Sequence, residues 1–213
     1  MLSETSKLGC KSWSLQALET CPGSIARDGG LAEVCQGCYA TGGNYRFPNV
    51  KRVRELNKQE WQEDNWVVDM TKALQDSRFF RWFDSGDMYA LELAEKIYAV
   101  CQATPWCQHW IPTRMYKFVK FKHILDKLNA LDNVVVRYSG DNIDEAPKGK
   151  WVSLVIKPHT KPDMAYVCPA YQQEGKCNGC RECWSKQARS IAYPAHGRKM
   201  SKVISLQLFK EQT

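Results

Sequence analysis

Ten of the 213 residues are cysteine, and seven of them fall into two spaced groups. The first is Cys21-x13-Cys35-x2-Cys38, and the second is Cys168-x8-Cys177-x2-Cys180-x2-Cys183. Thiolates are metal ligands, and two of them on one tight turn can converge on a single centre. Each Cys-x2-Cys step carries a glycine just before its second cysteine, Gly37 in one and Gly179 in the other. Glycine supplies the backbone freedom that such turns use. A Cys-x2-Cys-x2-Cys run with a fourth cysteine elsewhere is typical of [4Fe-4S] ligation. Zinc more often takes two separated Cys-x2-Cys pairs or mixtures with histidine, and it stands as the alternative. Cys168, Cys177, Cys180 and Cys183 are therefore read as ligands of one iron–sulfur cluster. Cys21, Cys35 and Cys38 offer three thiolates and no evident fourth: a cluster with one open iron, or a site completed by Cys10 or a histidine. Cys101 falls on the apolar face of an expected helix, where a small buried hydrophobe is the better reading. Cys10 and Cys107 are likewise set aside as non-ligands.

Disulfides are the other use of many cysteines, chiefly in secreted chains. The start of the chain, Met-Leu-Ser-Glu-Thr-Ser-Lys, lacks the basic and apolar regions of a signal peptide. No apolar run approaches the roughly 18 residues of a membrane span. The expectation is a soluble, cytoplasmic protein with reduced thiols. With 44% hydrophobic and 25% charged residues, disordered and low-complexity classes are excluded. Charge is uneven. Residues 1–100 carry 12 basic and 14 acidic side chains, whereas residues 101–213 carry 18 and 9. A basic half suggests an anionic partner such as nucleic acid, or a host protein.

The elements that must position these thiols are legible in part. Residues 1–48 lack periodicity, and a bound metal is a plausible way to order them. Residues 49–76 read as helix, with a break near Asn57 and an apolar stripe of Val50, Val53 and Leu56. Residues 79–83 read as a strand running into Asp84-Ser85-Gly86-Asp87. A helix over 89–101 buries Leu93, Ala94, Ile97, Val100 and Cys101, with Glu92 and Lys96 as an i,i+4 ion pair. A strand at 109–112 precedes a helix over 114–130 capped by Thr113. Residues 133–138 and 151–156 are apolar strands of the kind covered on both faces. Strands alternating with helices make an α/β fold, either a partial (β/α) barrel or an open parallel sheet. Residues 1–165 form its core, and the Cys-rich segment 166–213 packs on it as part of one compact unit. Parallel sheets place function outside the carboxyl ends of their strands. The polar residues there are Asp84, Ser85, Gly86 and Asp87, then Thr113 and Arg114, Ser139, Gly140 and Asp141, and finally Lys157 and His159. Asp84, Asp87, Asp141 and His159 could alternatively serve a zinc protein as a carboxylate–histidine site.

An irregular Cys-bearing loop, a helix, and a strand ending in a small-Gly-acid motif follow one another in the order of radical S-adenosylmethionine enzymes. Ser85-Gly86-Asp87 resembles their Gly-Gly-Glu-like motif, and Cys38-Tyr39-Ala40 resembles the end of many of their cluster loops. Their usual spacing is Cys-x3-Cys-x2-Cys, whereas thirteen residues separate Cys21 from Cys35 here. The resemblance implies S-adenosylmethionine at an open iron, with Asp87 on its amino group and Ser139 and Arg114 near its polar end. A closer resemblance is to the "gene product eighty-eight" family of phage and plasmid proteins. It rests on Thr20-Cys21-Pro22-Gly23, Cys35-x2-Cys38-Tyr39-Ala40, Phe80-Arg81-Trp82-Phe83-Asp84-Ser85-Gly86-Asp87 and Cys177-x2-Cys180-x2-Cys183-Trp184. The expected function is an iron–sulfur protein with two [4Fe-4S] clusters on a radical-SAM-like scaffold. The alternatives are a non-enzymatic iron–sulfur protein contacting nucleic acid or a host protein, and a zinc-ordered α/β protein.

Overall fold

The computed structural model describes residues 1–211. Among these residues eight strands form one sheet in the order β1-β2-β3-β4-β5-β6-β8-β7. The strands are β1 (Ser3–Thr5), β2 (Cys10–Trp13), β3 (Phe79–Trp82), β4 (Gln108–Thr113), β5 (Val134–Ile143), β6 (Val152–Ile156), β7 (Tyr166–Val167) and β8 (Ser190–Pro194). Only β1 runs antiparallel to its neighbour. From β2 to β6 the spatial order follows the chain without reversal, and it reverses only at the β8–β7 edge. The helices are α1 (Glu33–Gln36), α2 (Pro48–Glu60), α3 (Trp66–Ala73), α4 (Leu91–Ala103), α5 (Lys122–Ala130) and α6 (Arg198–Glu211). None of the described helices is long and apolar enough to cross a membrane.

Period-two alternation sends neighbouring residues of the central strands to opposite faces of the sheet. Phe80, Trp82, Ile111, Val134 and Val136 join α3, α4 and α5 in the larger core. Trp110 and Val135 turn to the opposite face and pack with Leu8, Trp151, Cys177 and Trp184. Burial on both faces is why the Val134-Val135-Val136 run is apolar throughout. The Cys-rich segment after residue 165 is thus a cover for the second face. Its strand β8 lies inside the sheet, between β6 and β7.

The expected helix over 49–76 is two helices, and the break falls at residues 61–65 rather than at Asn57. Asn57 is buried and donates from Nδ2 to the Ser14 carbonyl at 2.9 Å. The inward face of α2 is led by Arg54 and Asn57 rather than by the expected valine and leucine stripe. α4 buries the five residues expected of it. Lys96, however, donates to the carbonyls of Trp61 (2.9 Å) and Glu63 (2.8 Å) rather than to Glu92. The helix expected from residue 114 begins only at Lys122, after two 3-10 turns. Thr113 stands before these turns and not at the start of α5: its Oγ1 accepts from the Met115 N–H at 2.9 Å and donates to Asp87, and the Arg114 N–H goes to the same carboxylate.

Candidate functional site

The three N-terminal thiols lie in the connection between β2 and α2. Cys21 precedes a 3-10 turn at Pro22–Ser24, Cys35 sits in α1, and Cys38 follows three residues after Cys35. The connection is fastened to the carboxyl ends of three strands. After β3, the Asp84 carbonyl accepts from the Tyr39 hydroxyl at 2.6 Å, and the Asp84 carboxylate accepts from the Tyr45 hydroxyl. After β4, Lys117 Nζ donates to the carbonyls of Gly23 (3.0 Å) and Ile25 (2.8 Å) and to Asp141 Oδ2 (2.7 Å). At the end of β5, the Ile143 N–H donates to Glu33 Oε2 at 2.7 Å. Gly23 permits this docking, because a Cβ there would stand 2.5 Å from the Arg114 Cβ. Gly37 also serves close approach. Its φ is −93°, an ordinary value, but a Cβ would meet Met200 of α6 at 2.7 Å. The expectation of backbone freedom holds only for the second turn, where Asn178 (φ 44°) and Gly179 (φ 86°) are both left-handed.

The rim residues Asp84 to Asp87 and Arg114 come together beside these thiols. Asp84 pairs with Arg81 at 2.9 Å. Ser85 Oγ accepts from Arg54 Nε at 2.6 Å and donates to the Leu15 carbonyl at 2.7 Å. Asp87 is buried. Its Oδ1 accepts from Thr113 Oγ1 (2.6 Å) and the Met88 N–H (2.8 Å), and its Oδ2 from the Arg114 N–H (2.8 Å). Burial pushes its carboxyl above the ordinary value, and these donors oppose that rise. Arg114 reaches Asp141 at 3.2 Å and the Gly140 carbonyl at 2.7 Å. The Asp87 charge acts on Cys21, and Arg114, Asp141 and Lys117 act on Cys35, which places thiols and rim in one electrostatic site. Ser139 instead faces Ser153, with 3.4 Å between hydroxyls, and its carbonyl accepts from Tyr116. His159 is exposed beyond β6. Asp84 and Asp141 are held in ion pairs, so the carboxylates of the alternative zinc reading already have partners.

The C-terminal group converges more closely. Cys168, Cys177, Cys180 and Cys183 line one cavity, together with Tyr166 and Trp184. Tyr166 OH lies 3.4 Å from Cys180 Sγ, and Tyr193 OH lies 3.2 Å from Cys183 Sγ. Trp184 anchors the segment: its indole N–H donates to the Phe80 carbonyl at 2.8 Å, and its ring meets Phe79 and Trp110 edge-on. Arg181 stacks over Phe79 and Trp184. Cys10, set aside on spacing, packs against this group from β2, and its thiol interacts with Cys177. Cys101 and Cys107 are buried in the larger core, and neither lines the four-thiol cavity. Among the described residues no group of three or more His, Cys, Asp or Glu is set to hold a metal ion as the side chains stand. Four thiols on one apolar cavity nonetheless form the donor set that a thiolate-ligated cluster takes. Burial pushes the Cys21 thiol up to about 12 and the Cys183 thiol to about 11. A metal bound at these thiols would displace their protons.

Sequence reasoning missed Arg54, Arg81, Arg137, Tyr39, Tyr45 and Tyr193. A signal existed for two: Arg81 interrupts Phe79-Phe80-Arg81-Trp82-Phe83, and Arg137 interrupts a valine run. Part of the basic surplus is engaged by the chain's own backbone: Lys186 donates to the carbonyls of Asn129 (2.9 Å) and Leu131 (2.6 Å), and Lys199, at the surface, to that of Thr41 (3.1 Å). A family model described as Gene product 88 matches residues 2–186. Searches of curated proteins and of solved structures return no match to the chain.

Proposed function

The chain belongs to the Gene product 88 family, and for it we propose the function of an iron–sulfur protein with two thiolate-held centres. The observation that carries this reading is the single cavity lined by Cys168, Cys177, Cys180 and Cys183. An all-cysteine donor set in the Cys-x2-Cys-x2-Cys order suits a [4Fe-4S] cluster, which supplies one-electron chemistry when bound. Tyr166 and Tyr193 would direct hydroxyl hydrogens at its cysteine sulfurs, and Trp184 and Ile191 would exclude water. Cys21, Cys35 and Cys38 would hold the second centre, with Arg114 and Lys117 offsetting its negative charge.

A second reading adds S-adenosylmethionine at an open iron of the three-thiol centre, on a radical-SAM-like scaffold. It is supported by the in-order parallel strands and by the placement of three thiols at their carboxyl ends. Asp87 and Arg114 would then face the amino and carboxylate groups of the ligand, with Ser139 farther along β5. Asp87 already accepts three hydrogen bonds of the roughly four a carboxylate can take, so an iron–sulfur binding or regulatory role is favoured over cleavage chemistry. A nucleic-acid or host-protein partner rests on the charge of residues 101–213 alone.

Anaerobic purification with iron, sulfide and zinc quantified tests the proposal. About eight irons with matching sulfide per chain is the expected outcome for two cubane clusters. Zinc without sulfide would overturn it in favour of a zinc-ordered protein.

A further inference from the structure

Arg137 lies mid-strand in β5, and its side chain is 0% exposed. A buried guanidinium usually finds a carboxylate, because an unpaired charge in the interior is costly. None of the ion pairs among the described residues includes Arg137. Its donors go instead to four backbone carbonyls of the segment that carries Cys183: Cys183 (2.9 Å), Ala188 (2.8 Å), Glu182 (3.0 Å) and Ser185 (2.7 Å). Carbonyl oxygens satisfy the hydrogen bonds but leave the formal charge uncompensated. Tyr193, Cys183 and Glu182 are the acidic groups that face it, and burial pushes the Tyr193 hydroxyl and the Cys183 thiol up, so neither supplies a negative charge without an occupant. Tyr193 in turn holds its hydroxyl 3.2 Å from Cys183 Sγ.

We infer that Arg137 is the built-in counter-charge of an anionic thiolate centre at Cys168, Cys177, Cys180 and Cys183, and that it positions that centre's loop through Glu182, Cys183, Ser185 and Ala188. The inference rests on the reading of that cavity as a cluster site. A tetrathiolate cluster is net negative and gains one further negative charge on reduction. A fixed cation and a hydroxyl donor beside it therefore favour the reduced state and raise its potential. The same cation makes the cavity prefer an anionic occupant over neutral thiols. Arg137 is a positioning residue, acting on the centre through charge and through the loop backbone.

The test compares wild-type, R137Q, R137K and Y193F chains, purified anaerobically. Iron and sulfide are quantified, and the reduced signals are titrated by electron paramagnetic resonance. R137Q is expected to lower the midpoint potential of the C-terminal centre, or to lose that centre's iron, while the N-terminal centre stays unchanged. Y193F should lower the same potential by less. R137K keeps the charge and loses the planar fork, so its midpoint should stay near that of wild type at neutral pH. If R137Q does not fold, R137K decides the matter, because it keeps the charge that sets the midpoint. A folded, loaded R137Q with the wild-type midpoint, or a loaded R137K whose midpoint falls as far as that of R137Q or well below wild type, overturns this inference alone. A wild-type chain without iron and sulfide sinks the cluster reading and this inference with it.

Discussion

A Cβ on Gly86 would stand 2.6 Å from the Leu15 Cβ and 2.7 Å from Thr20 Oγ1, at a φ of +80°. Both the backbone conformation and the space therefore demand glycine between Ser85 and Asp87. Gly86→Ala is expected to cost about 3 kcal/mol in urea unfolding, from left-handed strain plus overlap with Leu15 and Thr20. Gly175→Ala, at a φ of +75° with nothing within 4 Å, carries the strain alone and should cost about 1 kcal/mol. His109 makes a second residue-scale argument. Its Nδ1 accepts from Trp82 Nε1 at 3.2 Å, and Thr104 Oγ1, which donates to Val100, lies 2.9 Å from its Nε2. The network therefore assigns a neutral ring protonated at Nε2. Burial pushes its pKa down to about 3. In the unfolded chain it titrates near 6.5, so between these values the unfolded state binds the extra proton. Stability from this group is full above roughly pH 6.5 and falls as pH drops, by about 2 kcal/mol at pH 5. Chemical denaturation at pH 5 and pH 7, with His109→Gln as the control that loses this slope, measures it.

At the scale of elements, connections are held by side-chain amides and cations more than by regular caps. Asn133, just before β5, donates from Nδ2 to the carbonyls of Cys101 (3.0 Å), Thr104 (3.0 Å) and Cys107 (3.1 Å). One amide thus closes the turn between α4 and β4 onto β5. Asn133→Asp replaces that donor with an acceptor facing three carbonyls, and it should destabilise by about 3 kcal/mol, read as a lowered urea midpoint. Lys117 does the same for the Cys21 loop, tying the carbonyls of Gly23 and Ile25 to Asp141. The element-level errors share that cause. Thr113 and Arg114 are drawn to Asp87 from another strand, so helix formation waits until Lys122. Asn57 breaks the apolar stripe of α2 because it has a carbonyl from β2's outgoing chain to satisfy.

Across the whole molecule the two cysteine groups occupy different parts of one sheet. The first sits past the carboxyl ends of β2 to β5, and the second lies against the sheet face opposite α3, α4 and α5. Arg81 stands between them, reaching Tyr39 at 3.4 Å and Asp84 at 2.9 Å on one side and interacting with Tyr193 on the other. The partition predicts separable loading. Cys38→Ala should lose about half of the bound iron, and Cys180→Ala the other half, each with the remaining centre's paramagnetic signal intact. Loss of all iron in either variant would show one shared centre.

The sequence by itself determined the α/β class, the strands around residues 80, 110, 135 and 154, the helix at α4, and the division of seven cysteines into two groups. These are local quantities: side-chain periodicity, apolar runs and ligand spacing are carried by neighbours in the chain. The family resemblance was also legible, because its motifs are short contiguous strings. The tertiary structure alone decided the strand order, the placement of the C-terminal segment as the cover of a sheet face, and the neighbours of Cys10. It alone assigned Arg54, Arg81 and Arg137 to the interior. A charged residue in an apolar pattern reads as a break until its partners are known, and those partners are backbone carbonyls, a hydroxyl and a carboxylate brought close only by folding. The seven thiols illustrate both halves: spacing sorted them, but only packing put four of them around one cavity.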